Sequence, residues 1–263
     1  MDHESISIDA ESLCIHVIGN NRIAAEVLTN IRRQGLRSLI EYKSNGINAR
    51  SDRSNFVFFI GDSLTNNKQD VEFLNSYLYS IKPTLILCFV NKSNSMIGSH
   101  AQNERTSRIP IKGFVYVTSS IEAIREVTPV YQTIIETIRA INSPVGINID
   151  KEEFRNTLLG PLGLGHSQIW AFTSQATNPD RAIKALRILS KYPEYSKWLN
   201  QTDGLVIKIT GGDDHLMGRE VKGVMSELNQ HISDLCKCVC SISHDGTLPK
   251  DGIKVTLLAA RWA

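Results

Sequence analysis

The stretch GINIDKEEF, Gly146 to Phe154, follows a long helical pattern and sets Asn148, Asp150, Glu152 and Glu153 between two apolar runs. Locally it predicts a helix start. Asp150 takes the N-cap position, and Glu153 follows three residues later in the spacing of a capping box. A second reading is chemical. A carboxylate within hydrogen-bond reach of a water can orient it or take its proton, so acids gathered here can also act on something outside the chain. What the flanking sequence has kept and lost decides between them.

Upstream, Ile124 to Ile141 is the longest helical pattern of the chain. Val127, Val130, Ile134, Ile138 and Ile141 form one stripe, thickened by Tyr131 and Ile135, and Pro144 and Gly146 end it. So wide an apolar band predicts a helix buried between two bodies. Before it, LCIHVIG, NFVFFIG, TLILCFV and GFVYVT read as strands, with helical patterns after the first two that stop at Gly35 and Pro83. That alternation predicts a mainly parallel sheet covered on both faces. Ligands of such sheets bind beyond the carboxyl ends of the strands, where Gly19 and Gly61 stand.

Downstream, a helix from about Asp150 leads to the strand QIWAFT. The helix in TNPDRAIKALRILSKYP is signed by Asn178 as N-cap, Pro179 at the first position, Asp180 in the first turn and Pro193 beyond its end. GLVIKITGG, a helix over Val221 to Ile232, then CKCVCSIS and IKVTLLAA complete a small α+β unit. The expected organisation is an α/β domain over 1–122, a central helix over 123–145 and an α+β domain over 146–263, without a flexible linker.

The 263 residues carry 41% hydrophobic and 21% charged side chains, a globular composition. A net charge of +2 is too small to argue for nucleic acid or acidic membranes, so no nucleic-acid partner is expected, and Arg32, Arg33 and Arg37 suit the end of a helix, where cations complement the dipole. No apolar run is long enough to span a membrane. The acidic, polar N-terminus is not a secretory leader, and five cysteines do not suggest a disulfide scaffold, so the expected compartment is a reducing cytoplasm.

The second half resembles the FtsZ/tubulin superfamily over most of residues 113–262. INIDKEEF is similar to the family's Asn-x-Asp-x-x-acid loop after the central helix, and NPDRAIKAL to its Gly-Glu-Asp-Arg-Ala helix start. GLVIKITGG resembles the Val-Leu-Val-Asn-Ile-Thr-Gly-Gly strand, and IKVTLLAA the final strand. Upstream, NFVFFIG and LILCFVNK can be laid on two strands of the family's nucleotide domain. The resemblance implies a Rossmann-like parallel-sheet domain, a long central helix and a smaller α+β domain. It also implies head-to-tail assembly, in which the acidic loop of one subunit completes the nucleotide site of the next. On that footing Asn148, Asp150 and Glu153 fall on the subunit-contact loop that polarises the attacking water.

The nucleotide loops depart from the family pattern. Backbone N–H groups converge on phosphate where glycines allow positive φ and close approach. The first loop here reads VIGNNRIAAE, keeping only Gly19, and the signature loop reads GDSLTNNKQD, keeping only Gly61. Asp62 sets a negative charge where phosphates would lie. The segment carrying the γ-phosphate loop has no counterpart between Ile40 and Asn55, and the acid that reads guanine aligns with Val127 or Thr128. No Walker-type loop replaces them. These departures predict a pseudo-GTPase: an assembly or adaptor protein that docks Asn148–Glu153 on a filament or partner, or self-assembles, with no cofactor. The alternative is a polymerising GTPase with rebuilt loops. It would hold GTP and Mg²⁺ through Gly19, Asn20, Asn21, Arg22, Gly61, Asp62, Ser63, Thr65 and Lys68. The chain stops at Ala263, directly after the last strand, so it is not expected to reach a membrane through the linker and terminal peptide that tether FtsZ.

Other groups suggest less. Cys236, Cys238 and Cys240 alternate along a strand and so share a face, nearly 7 Å apart, which suits packing better than a disulfide or a metal. His231 and His244 nearby keep a metal reading open as the lesser alternative. His16 on a buried strand reads as a core histidine, and the glycines of GPLGLGHSQ as a structural turn.

Overall fold

The computed structural model describes residues 14–18, 26, 29, 55–61, 85–90, 114–117, 127–141, 146–161, 167–177, 180–192, 195–212, 216 and 218–262. They form a nine-stranded sheet in the order β1-β2-β3-β4-β6-β9-β7-β8-β5. Strands β1 (Cys14–Ile18), β2 (Asn55–Gly61), β3 (Leu85–Val90) and β4 (Phe114–Val117) run parallel, as the strand–helix alternation predicts. β4 continues in parallel onto β6 (Ser167–Thr177), so one sheet joins both halves of the chain. β9 (Gly252–Trp262) lies antiparallel between β6 and β7 (Gly204–Gly211). β8 (Lys237–His244) is parallel to β7, and the short β5 (Gly146–Ile147) pairs antiparallel at the edge.

Among the described residues, five helices cover the second half. α1 (Val127–Ile141) and α2 (Lys151–Leu159) pack on one face of the sheet, where Ile134, Ile138, Phe154 and Leu158 meet Val206, Val239, Leu258 and Ala260. On the other face α3 (Arg181–Leu189), α4 (Tyr195–Leu199) and α5 (Gly218–Leu228) set Ala185, Leu189, Leu199, Val224 and Leu228 against Leu205, Ile207, Ile209, Val255 and Leu257. Coverage on both faces explains why β7 and β9 are buried along nearly their whole length and read as mostly apolar runs. Within α1, Thr133–Ile138 is buried throughout. Phe154 adds a link to the first half: its ring lies 6.2 Å from that of Phe56 on β2.

Several boundaries move. β6 extends past the expected QIWAFT because its full length, Ser167 to Thr177, pairs with β9 from Trp262 back to Gly252. The fifth helix begins at Gly218, ahead of the expected Val221, and its α-helical run ends at Leu228. The bond from Ile232 N–H to the Leu228 carbonyl then carries one further turn. Asp180, expected in the first turn of its helix, is instead the residue before it. It sits at φ 55° and makes no side-chain capping bond; aspartate tolerates this left-handed region better than most residues. The expected cap Asn178 and Pro179 lie outside the described residues. Arg181, the first residue of α3, is buried and clamps the layer: it forms two bonds to Glu220 of α5, at 2.6 and 3.1 Å.

Candidate functional site: the acidic loop after the central helix

The loop leaves α1 under tight constraint. Gly146 has φ 124°, and a Cβ there would lie 2.0 Å from the Ile242 carbonyl oxygen of β8. Glycine is therefore required on both conformational and steric grounds. The next residue, Ile147, is held through its carbonyl, which accepts a 2.9 Å bond from Ser241 Oγ. Ile149 turns inward, 4% exposed, and its N–H bonds the Ala140 carbonyl at the end of α1 at 2.8 Å. Gly146→Ala is expected to detach β5 and free the loop. Its cost is bounded by that local release at about 1–3 kcal/mol. Thermal unfolding and amide exchange at Ile147 and Ile149 check it; unchanged protection at both would contradict the strain argument.

The polar residues face outward from this frame. Asn148, Asp150, Glu152 and Glu153 are all exposed. Asp150 is the N-cap of α2, as expected, and one of its oxygens accepts from the N–H of Glu152 at 2.8 Å and of Glu153 at 3.1 Å. Acidic side chains are favoured at a helix N-terminus by the dipole there, which suits three carboxylates gathered at this one. Ile147, 60% exposed, adds an apolar contact beside them at the sheet edge. The loop is thus a rigid acidic projection with one greasy neighbour.

Beneath it lies a charged network that the sequence reading missed. Glu136, the only acid in the sequence of α1, is buried and accepts from Arg139 and Lys254, each at 3.1 Å, and from Thr210 Oγ1 at 2.9 Å. Arg139 also bonds Asp245 at 2.6 Å. The Asp245 carboxyl is held below the usual aspartate range: burial pushes it up, but hydrogen bonds from Thr247 and the Arg139 charge outweigh that. Lys208, 2% exposed, donates to Ser241 Oγ at 3.0 Å, and Ser241 in turn holds Ile147. The signal was present: Lys208, Thr210, Ser241, Ser243, Lys254 and Thr256 are polar residues at alternate positions of three otherwise apolar strands.

At the other expected site, Gly61 is described, as the last residue of β2. Gly19, Asn20, Asn21, Arg22, Asp62, Ser63, Thr65 and Lys68 lie outside the described residues. Val127 and Thr128 open α1, and the one acid of that helix, two turns on, is committed to the network above. No group of His, Cys, Asp and Glu among the described residues could hold a metal, and His231 lies edge-on to the ring of Tyr195 at 6.4 Å. No described helix is long and apolar enough to cross a membrane. Gly160, the first glycine of GPLGLGHSQ, ends α2 at φ 84° against the Trp262 ring, a structural position as expected.

Continuous pairing from a parallel half-sheet into β6-β9-β7-β8, with the long helix across it, matches solved structures over nearly the whole chain. An empty FtsZ dimer from M. jannaschii superposes with TM-score 0.64 at 12% identity, over 94% of this chain and 88% of that one. The chain has the FtsZ/tubulin-like fold. CetZ from Methanosaeta thermophila shares that fold with TM-score 0.60 at 14% identity, over 95% of this chain and 87% of that one. CetZ2 from Haloferax volcanii, solved as a GTPγS-bound protofilament, does so with TM-score 0.55 at 10% identity, over 95% and 93%. No protein-family model and no curated protein matches the sequence. At such identities the FtsZ/tubulin-like likeness rests on backbone architecture, which separates it from any statement about chemistry.

Proposed function

We propose that this chain is an FtsZ/tubulin-like assembly or adaptor protein that contacts a filament or a partner through the acidic loop and does not hydrolyse GTP. The observation that carries this reading is the loop itself: Asn148, Asp150 and Glu153 are exposed on a frame fixed by Gly146, Ile149 and the Asp150 cap. Side chains held in advance lose little entropy on docking, which favours a contact surface. The sequence supports the absence of hydrolysis, with one glycine in each phosphate loop and Asp62 beside the second. Head-to-tail contacts that lack one complementary end stop at a cap or a small oligomer.

A polymerising GTPase with rebuilt loops is the second reading. It is favoured by the likeness to CetZ2, whose solved form is a GTPγS-bound protofilament. Calorimetry of nucleotide-free protein with GTP or GDP and Mg²⁺ separates the two. No heat of binding is expected; micromolar binding would establish the GTPase reading and overturn the first.

The loop is tested apart from its cap by Asp150→Asn with Glu153→Gln. Asparagine caps helices about as well as aspartate, so stability is expected to stay within about 0.5 kcal/mol. Self-association or partner capture, read by sedimentation velocity, is expected to fall at least tenfold. Association equal to that of the unaltered chain would remove the loop from the interface.

A further inference from the structure

Cys236 and Cys238 depart from the spacing expected of them. Alternate residues of a strand stand nearly 7 Å apart, yet these two sulfurs are 3.8 Å apart. The reason is that Cys236 lies one residue ahead of β8, outside the ladder, so the pleat does not set its position. Its N–H bonds the Ser233 carbonyl at 2.9 Å, in a turn that also carries Leu235, 92% exposed. Lys237 then enters the sheet edge through a 2.8 Å bond to the Asp203 carbonyl. Both thiols are partly exposed, so a small polar reagent can reach them.

We propose that Cys236 and Cys238 form an oxidisable dithiol, with Cys238 as the attacking thiolate and Cys236 as the resolving thiol. The co-reactant is hydrogen peroxide. Cys238 Sγ⁻ attacks the terminal peroxide oxygen, the O–O bond breaks, and the leaving oxygen departs as water after taking a proton. Cys238 becomes a sulfenic acid, oxidised by two electrons. Cys236 Sγ then attacks that sulfur, its thiol proton leaves with the hydroxyl as a second water, and an S–S bond forms. The sulfurs need only close from 3.8 Å to about 2 Å, a distance side-chain rotation in a turn can supply.

The division of roles follows from the surroundings. The hydrogen bond shared with Cys238, with burial and the Asp203 charge beside it, raises the Cys236 thiol and keeps it protonated. The bond shared with Cys236 lowers Cys238, against the effect of its own burial. Cys240, further along the strand, is pushed up by burial, with Lys208 opposing, and so is the slower nucleophile.

Trypsin offers a direct readout because Lys237 lies between the two cysteines, separating peptides 223–237 and 238–250. The full chain carrying Cys240→Ser is treated with one equivalent of hydrogen peroxide, alkylated and digested. Loss of two hydrogens from the combined 223–250 segment, reversed by dithiothreitol, is expected. In the Cys236→Ser chain, a dimedone adduct is expected at Cys238, forming at least tenfold faster than at Cys240. Two results would overturn the proposal: equal labelling of Cys238 and Cys240, or a Cys240→Ser chain in which both thiols remain alkylatable after peroxide. Circular dichroism of each variant verifies that the compared chains are folded.

Discussion

Replacing Glu136 by alanine is expected to lower the free energy of unfolding by about 3–5 kcal/mol, the cost of removing one partner from a buried ion network. The carboxylate joins three elements: Arg139 on its own helix, Thr210 on β7 and Lys254 on β9. Without it Lys254 loses its 3.1 Å anion and is left with Asp245 at 3.9 Å nearby, and Thr210 loses its bond to Glu136 while keeping the contact with Ser243. Buried positive charge that loses its nearest anion is the expensive outcome, much more than the lost bonds themselves. Lys254→Met in the same chain is therefore expected to recover a large part of the loss, since it removes the charge that lost this anion and adds apolar volume. Denaturant unfolding of the four chains in the cycle measures the coupling. An alanine variant within about 1 kcal/mol of the original would mean that water reaches the cluster. The effect extends to the loop, because Ile149 hangs from the Ala140 carbonyl, one turn beyond Glu136.

The same network marks the limit of what the sequence made legible. Strand and helix identity followed from periodicity, and GINIDKEEF announced its cap because Asp150 and the acids after it act within one turn. Local chemistry of that kind is visible in local sequence. Glu136 and Lys254 lie far apart in the chain and meet only when β9 inserts between β6 and β7, which makes antiparallel bonds on both its sides. Lys208 in GLVIKITGG and Lys254 in IKVTLLAA each interrupt an apolar run as a single lysine, which by itself reads as solvated. Their alternation with residues of the other face was the available clue. The cysteine spacing failed for a related reason: a period-2 rule presumes that the strand has begun, and it begins at Lys237. Arg181 was read as part of a helix start, whereas its guanidinium spans to Glu220 of another helix.

Lys208 gives the most distinctive pH dependence. Burial draws its ammonium down from the usual 10.5 to about 8; Glu136 pulls it upward, while Arg139 adds to the lowering. Between those two pH values the unfolded chain holds a proton that the folded chain has released. Stability contributed by this residue therefore rises with pH across the window, and below pH 8 the folded protein carries the full penalty. A shift of this size corresponds to about 3 kcal/mol. Lys208→Met removes the term, so the advantage of the variant is expected to be largest at neutral pH and to vanish as pH approaches 10.5. The difference between the two stability curves is the quantity to measure, because other groups move both curves alike. Tyr195 is one: burial and the Glu227 charge hold its phenol at about 12, so its contribution falls as pH rises above the ordinary value of 10. A pH-independent difference would show that Lys208 keeps an ordinary ammonium through contact with water. Ser241 donates to Ile147 whether or not Lys208 donates to it, so the acidic loop is expected to hold its place in the variant. Association through Asp150 and Glu153 should then survive in Lys208→Met and be lost in Glu136→Ala, which distinguishes the loop's own chemistry from the foundation beneath it.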